Sequence, residues 1–192
     1  LNKAETEEII ITEKSFVESG NLDEIYKSGS TLPDGIIEIE KWTKGGWNKT
    51  LNKQLEPNKK YKIGKNIYET DGSGRVSGVK GELDLKTAER NNYQQWKGVT
   101  SKDGNVANDQ GSHLIAAIFD GAGEHINVVP MLGTLNQGAW RTMESTWQKA
   151  IDAGKKVDVD IKIIYDEASK RPKIFEVEYT IDGDDFFQPF SN

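Results

Sequence analysis

A chain of 192 residues with 35% hydrophobic content is long enough to fold as one domain around a core. It has no cysteine, which excludes disulfides and thiolate metal sites, and with only two histidines a three-ligand zinc site would need carboxylates to complete it. The net charge of −6 on its own argues against nucleic acid as a partner, and no apolar run is long enough to span a membrane.

The charge is unevenly distributed along the chain. Residues 1–40 hold 3 basic and 10 acidic side chains, residues 41–102 hold 14 basic and 6 acidic, and residues 103–192 hold 8 basic and 15 acidic. The basic middle third is typical of a surface that contacts phosphates, although a solvated lysine-rich face explains the same counts. The N-terminus has neither a Met nor a signal-peptide pattern, so we expect the chain to be a fragment of a longer protein.

The first 50 residues are predicted to form an acidic N-terminal extension with a first strand, and residues 51–192 the main domain. The elements predicted up to residue 110 are, in chain order, a helix over 5–17, a strand over 36–42, two short strands over 61–70, a hairpin turn at Asp71-Gly72-Ser73-Gly74, a strand over 75–85, a helix over 85–96 and a polar loop over 97–110.

The second half of the chain gives clearer patterns. Apolar runs predict buried strands over 114–119 and 126–131, with Pro130 ending the second. Four apolar residues at helical spacing predict a helix over 135–153 that ends at Gly154: Trp140, Met143, Trp147 and Ile151. Two alternating strands over 157–163 and 174–181, joined at Lys170-Arg171-Pro172, close the domain. This order predicts an α+β fold on a mainly antiparallel sheet.

Two side chains suit the hydrolysis of a phosphodiester. His113 lies between a Gly-Ser pair, predicted as a turn, and an apolar run, and Asn136 lies at the predicted start of a helix. A neutral imidazole takes a proton from an attacking water near pH 7. Mg²⁺ keeps most of its waters and needs few protein ligands, so one amide oxygen is a sufficient anchor. The pair therefore predicts a general base at His113 and a metal ligand at Asn136.

Structural roles compete with these assignments. On position alone, a histidine beside an apolar strand is more often structural, and an asparagine at a helix start is more often an N-cap. The tryptophans of the helix are interpreted as core residues that press its Asn136 face against the sheet carrying His113, and His125 as an exposed loop residue. Glu144 lies two turns beyond Asn136, roughly 12 Å along the axis, so it is predicted to orient a water or a basic side chain rather than to bind the metal.

Several spaced motifs together resemble a known family. They are Asp109-Gln110-Gly111-Ser112-His113-Leu114-Ile115-Ala116, Asn127-Val128-Val129-Pro130-Met131, Leu135-Asn136-Gln137-Gly138-Ala139-Trp140 and Met143-Glu144-Ser145-Thr146-Trp147. This set resembles the DNA/RNA non-specific endonucleases, which have the ββα-metal (His-Me finger) fold. The resemblance implies a catalytic His113, an Asn136 that binds Mg²⁺ with Mn²⁺ as the alternative, and supporting roles for Asn127 and Glu144.

Further segments resemble the branch of this family found at the C-termini of bacterial polymorphic toxins. They are Tyr68-Glu69-Thr70-Asp71, Gly74-Arg75-Val76, Glu89-Arg90-Asn91-Asn92-Tyr93-Gln94-Gln95, Lys170-Arg171-Pro172 and Phe175-Glu176-Val177-Glu178-Tyr179. The resemblance implies that residues 51–192 are a nuclease domain acting on DNA, with RNA as a second candidate substrate. It also implies a secreted or translocated toxin that acts in the target-cell cytoplasm and is inhibited by a cognate immunity protein.

One departure from the family pattern concerns the phosphate contact. The wider family usually reads Asp-Arg-Gly-His, whereas here Gln110, Gly111 and Ser112 precede His113, so the arginine is absent. Four arginines are candidates to replace it, with Arg90 as the first choice: Arg75, Arg90, Arg141 and Arg171. The departure also leaves a catalytically decayed binding module as an alternative. A weaker alternative is a carbohydrate- or surface-binding domain that uses Trp42, Trp47 and Trp96.

Overall fold

The computed structural model of the chain describes residues 30–40, 48–86 and 107–192. The predicted helix over 5–17 and most of the predicted helix over 85–96 lie outside these residues, as do Arg90 and the three tryptophans of the carbohydrate-binding alternative. Within the described ranges, no helix combines the length and the apolar character needed to cross a bilayer.

Eight strands form the main sheet. They are β1 (Ser30–Thr31), β2 (Ile37–Glu38), β3 (Lys60–Ile63), β4 (Asn66–Thr70), β5 (Val76–Glu82), β8 (Val157–Tyr165), β9 (Pro172–Ile181) and β10 (Asp184–Ser191). They lie across the sheet in that order, and every neighbouring pair is antiparallel except β2 and β3. A short helix, α1 (Lys49–Asn52), precedes β3. The predicted α+β fold on a mainly antiparallel sheet is confirmed.

A second, two-stranded sheet leads directly into the long helical segment. Strands β6 (Asp109–His113) and β7 (Val128–Leu132) pair antiparallel, and a short 3-10 turn precedes β7. The helical segment begins with α2 (Gly133–Leu135), passes through a π-helical turn (Asn136–Trp140) and continues as α3 (Arg141–Asp152). The π-helical turn is kinked at Gly138, whose φ of −104° and ψ of −106° are not helical. Two antiparallel strands followed at once by a helix form the ββα arrangement that the resemblance implies.

The helical segment packs against the main sheet through its tryptophans. Trp140 meets Phe175 of β9 edge-on at 5.3 Å between ring centroids, and Trp147 meets Tyr179 at 5.6 Å. Both tryptophans are fully buried. The expectation that they press the helix against the sheet carrying His113 is wrong, because these rings face β9 of the main sheet. The contact between the helix and β6 is made by polar side chains instead.

The predicted strand over 114–119 is also wrong. The strand precedes it, over the more polar residues of β6, and the apolar run is a buried loop of bends and turns. An apolar run reports burial, which a loop satisfies when its backbone groups find partners. One of these partners lies in a turn, where the Phe119 N–H donates to the Ala116 carbonyl at 2.9 Å.

Pro130 lies inside β7, opposite Gly111, rather than ending the strand. Both strands of a two-stranded sheet are edge strands. An edge strand tolerates a proline, which has no N–H, where that position does not have to donate a hydrogen bond to a neighbouring strand. The prediction failed because it treated proline as a strand terminator without considering the width of the sheet.

Strand β10 was not predicted at all. Asp182 and Gly183 both have positive φ, of 50° and 90°, and join β9 to β10. An Asp-Gly pair between two extended segments is a strong signal for a two-residue hairpin turn, and it was available in the sequence.

Candidate active site

Asn136 opens the π-helical turn and extends towards β6. Its backbone is helical, with φ −57° and ψ −45°, and the N-cap of the segment is Leu132, so Asn136 is not an N-cap. Its Nδ2 donates to Oε1 of Gln110 at 2.9 Å, and Oγ of Ser112 donates to its Oδ1 at 2.7 Å. The amide therefore joins the helix to β6.

His113 is the last residue of β6, directly after Ser112. It is buried, with 8% of its surface exposed, and it pairs with Val128 at the start of β7. The predicted Gly-Ser turn before it is wrong, because both residues lie within the strand. Side chains alternate along a strand, so Ser112 faces Asn136 while the His113 side chain starts from the other face at the strand end. Asn136 therefore contacts the residue that directly precedes the proposed base.

Asn127 ends the 3-10 turn before β7 and is fully buried. Its Nδ2 donates to the carbonyls of Ile115 and Ala122 at 2.8 and 2.7 Å, and its Oδ1 accepts from the Ile115 N–H at 3.0 Å. Both N–H donors are therefore occupied by the backbone of the loop that follows His113. This geometry suits a residue that fixes the loop rather than one that contacts substrate.

Glu144 lies in the first turn of α3 and is half-buried. It follows Asn136 by eight residues on the same helical segment, beyond the π-helical turn. The role of Glu144 beside Asn136 stays a prediction.

Asp109 and Arg171 form a buried ion pair that the sequence did not reveal as a pair. Nε and Nη2 of Arg171 donate to the two carboxylate oxygens of Asp109 at 2.8 and 2.9 Å, and the side chains are 12% and 1% exposed. The pair ties the start of β6 to the turn between β8 and β9 of the main sheet. No spacing rule links positions that lie 62 residues apart, so single-sequence reasoning offered no signal for it.

We expect Arg171→Lys to destabilise the fold by about 2 kcal/mol, because lysine keeps the charge but loses the two-pronged hydrogen bonding to a buried carboxylate. Urea unfolding followed by circular dichroism measures the change. Lys173→Arg, at an exposed ion pair with Asp166, is the matched control and should shift stability by less than about 0.5 kcal/mol. Equal shifts for the two variants would contradict the role given to the buried pair.

Two of the four arginines proposed to replace the missing phosphate contact are engaged elsewhere. Arg171 is held by Asp109, and Arg75 binds Asp71, donates to two nearby carbonyls at 2.8 and 2.7 Å and lies over the Tyr165 ring. Arg141, at the start of α3, is exposed.

An open groove of about 580 Å³ lies beside Asn136. Its lining includes Gln110 of β6 and Gln137 and Gly138 of the π-helical turn, so amide groups and a glycine face the space. Another groove of about 570 Å³ lies over β8 and β9, where the acidic lining residues Asp158, Asp160 and Glu178 each pair with a lysine. The groove beside Asn136 also includes Asp109, whose carboxylate is held by Arg171, and it is the one that adjoins the proposed metal ligand.

The donor set favours a hard, weakly held cation. The described ranges contain no group of three or more His, Asp or Glu side chains that would hold a metal on their own. Among the described residues, only Ser112 donates a hydrogen bond to the Oδ1 atom of Asn136, and a carbonyl oxygen has two lone pairs. One lone pair therefore remains for a cation whose other ligands are waters and substrate oxygens, which is the coordination typical of Mg²⁺.

Comparison with known proteins agrees with this geometry. A family model described as DNA/RNA non-specific endonuclease matches residues 57–183, a range that contains all the candidate site residues. The type VII secretion system protein EssD of Staphylococcus aureus, from strains USA300 and NCTC 8325, is 36% identical over 125 residues. That match covers 62% of this chain and 20% of each relative, so it spans about a fifth of their length.

Proposed function

The chain belongs to the DNA/RNA non-specific endonuclease family, and we propose that it is a Mg²⁺-dependent nuclease that hydrolyses DNA. RNA is the second candidate substrate and Mn²⁺ the alternative metal. The observation that supports the proposal most directly is the docking of Asn136 onto β6, one residue away from His113. The contact places the amide oxygen beside the residue that precedes the imidazole in β6, and phosphodiester hydrolysis by one base and one metal needs both groups near the scissile bond.

His113 is the proposed general base. It accepts a proton from the attacking water while the bond from the water oxygen to phosphorus forms and the bond from phosphorus to the leaving oxygen breaks. Asn136 would hold the divalent ion through Oδ1, and a bound ion would supply charge neutralisation at the phosphate oxygens. Asn127 fixes the loop after the base, and Glu144 is proposed to orient a water or a basic side chain near Asn136.

The phosphate contact is proposed to come from Arg90, with Arg141 as the alternative. Arg75 and Arg171 already have strong anionic or carbonyl partners, and breaking either set of contacts would leave a poorly exposed carboxylate behind. Arg90 belongs to the basic segment 41–102, which contains 14 basic and 6 acidic side chains. A cationic side chain there would bind the backbone without reading bases, which suits a nuclease of low sequence preference.

We further propose that the nuclease is the toxin domain of a secreted protein that acts in the cytoplasm of a target cell, with a cognate immunity protein in the producer. The relatives named as type VII secretion system proteins support the secretion step. An intracellular nuclease of low specificity would also damage the cell that makes it, so an inhibitor is expected. The chain is expressed in the cytoplasm of a test bacterium with and without the gene that neighbours its own, which tests both toxicity in the cytoplasm and protection by an immunity protein. Equal growth in the two cultures would contradict the need for an inhibitor.

Metal removal gives the first test of the activity. With Mg²⁺ the purified chain should degrade plasmid DNA, and EDTA should slow the reaction by about a hundredfold or more because the developing charge loses its stabilisation. Readdition of Mg²⁺ in excess of EDTA should restore cleavage. DNA that is bound but left intact in both Mg²⁺ and Mn²⁺ would instead support the decayed binding module. Parallel reactions on single-stranded RNA would decide the second substrate.

A further inference from the structure

The side-chain amide of Asn136 is held at both ends by one strand. Its Nδ2 donates to Gln110 and its Oδ1 accepts from Ser112, and these two residues occupy alternate positions of β6. Residues two apart in a strand share a face, so β6 presents an acceptor and a donor to the helix at the same time. The two contacts are 2.9 and 2.7 Å long, which is the ordinary length of well-formed hydrogen bonds.

These contacts hold the carboxamide of Asn136 between two side chains of β6. An asparagine side chain has an oxygen that binds cations and an NH₂ group that repels them, and a half-turn about χ2 exchanges the two. In the structure Oε1 of Gln110 faces Nδ2 of Asn136, and the Ser112 hydroxyl faces Oδ1. The Ser112 hydroxyl donates to Oδ1 and leaves the second lone pair of that oxygen available.

Ser112 is also a feature of this chain rather than of the wider family pattern. In the usual Asp-Arg-Gly-His motif, a glycine without any side chain precedes the histidine, whereas here a serine that is 3% exposed stands there. A buried hydroxyl needs a partner, and in this chain Asn136 is the partner. A glycine at this position would leave Oδ1 without that donor.

We propose that Ser112 and Gln110 are positioning residues that fix the Asn136 carboxamide with Oδ1 oriented towards a divalent cation. The proposal rests on the function proposed above, since it assigns Asn136 as the ligand. The two side chains act through the amide and not on the substrate. Their effect is to restrict the movement of the amide, so the ligand is held in place before the cation arrives.

Direct binding of Mn²⁺ tests the proposal without relying on catalysis. Free Mn²⁺ is measured by electron paramagnetic resonance during titration of the purified chain in the absence of DNA. We expect Ser112→Ala to raise the Mn²⁺ dissociation constant about tenfold, the effect typical of losing a group that orients a metal ligand. Gln110→Met, which keeps the length of the side chain but removes the acceptor, should weaken binding in the same direction.

The double variant gives a sharper result than either single change. Both residues restrain one amide. Removing the second contact after the first should therefore weaken Mn²⁺ binding less than removing that contact from the parent. The combined loss of Mn²⁺ affinity should therefore be smaller than the product of the two single losses. Thr146→Ala is the matched control, because it removes an exposed hydroxyl that bonds a carbonyl of α3, and it should leave Mn²⁺ affinity unchanged.

The outcomes separate this inference from the proposed nuclease activity. Mn²⁺ affinity within twofold of the parent for both Ser112→Ala and Gln110→Met would overturn the positioning role, even where the parent degrades plasmid. A lowered melting temperature with unchanged Mn²⁺ affinity would show a purely structural contact and overturn it as well. If the two variants bind Mn²⁺ more weakly than the parent, and the parent cleaves neither DNA nor RNA, the positioning role is supported and the nuclease activity is contradicted.

Discussion

Replacing His113 with alanine should lower the rate of plasmid cleavage by about 10² to 10⁴, the usual contribution of a positioned general base. The imidazole is the last side chain of β6 and adjoins the residue that contacts Asn136. Without it, the attacking water would have to lose its proton to solvent. Initial rates of supercoiled-plasmid loss measure the effect over a range of enzyme concentrations.

A matched control comes from the second histidine of the chain. His125 lies on the 3-10 turn before β7 and is exposed, so His125→Ala should retain cleavage within a fewfold of the parent. Mn²⁺ binding by the His113→Ala variant should stay close to that of the parent, because the imidazole is not the proposed ligand. Equal cleavage by the parent and by His113→Ala would remove the base from the mechanism.

The Asn127→Leu substitution should destabilise the fold by about 4 kcal/mol, among the largest single effects expected for this chain. Leucine has nearly the same volume but would leave the Ile115 N–H and two carbonyls buried without their partner. The loop has little room to rearrange, because a Cβ at Gly121 would clash with the Ile115 carbonyl oxygen. Since this loop follows His113, cleavage should fall along with stability.

Urea unfolding followed by far-ultraviolet circular dichroism measures the free-energy change. Gln148→Leu, which removes a partly exposed amide on α3, is the control and should change stability by no more than about 0.5 kcal/mol. An Asn127→Leu variant as stable as the parent would show that the loop finds other partners for its backbone groups.

Local patterns predicted much of the fold. The turn at 71–74 and the paired strands β3 and β4 follow from turn residues and short alternating runs, and the alternation of β8 and β9 follows from their apolar periods of two. The helix ends where Gly154 adopts φ +77°, as a glycine after a run of periodic apolar residues predicts. These features depend on interactions within a few residues, which a single sequence records.

The remaining features depend on contacts between distant segments. The buried run at 114–119 gives the same apolar pattern whether its backbone pairs with a strand or with the side chain of Asn127. The π-helical turn at Asn136–Trp140 depends on how the helix meets two sheets at once. For the site, the resemblance supplied His113 and Asn136, but it did not supply the contacts of Gln110 and Ser112, which lie on alternate residues of a segment interpreted as a loop and turn.

The helical segment has two faces of different chemistry, with interlocked aromatic rings towards β9 and an amide towards β6. The aromatic contacts that anchor the helix are therefore separate from the proposed metal ligand. A variant such as Asn136→Ala should keep its architecture, because the buried rings still anchor the helix to the main sheet. Such a harmless, well-folded decoy would be produced safely in large quantity and would still compete for whatever inhibitor recognises the intact surface.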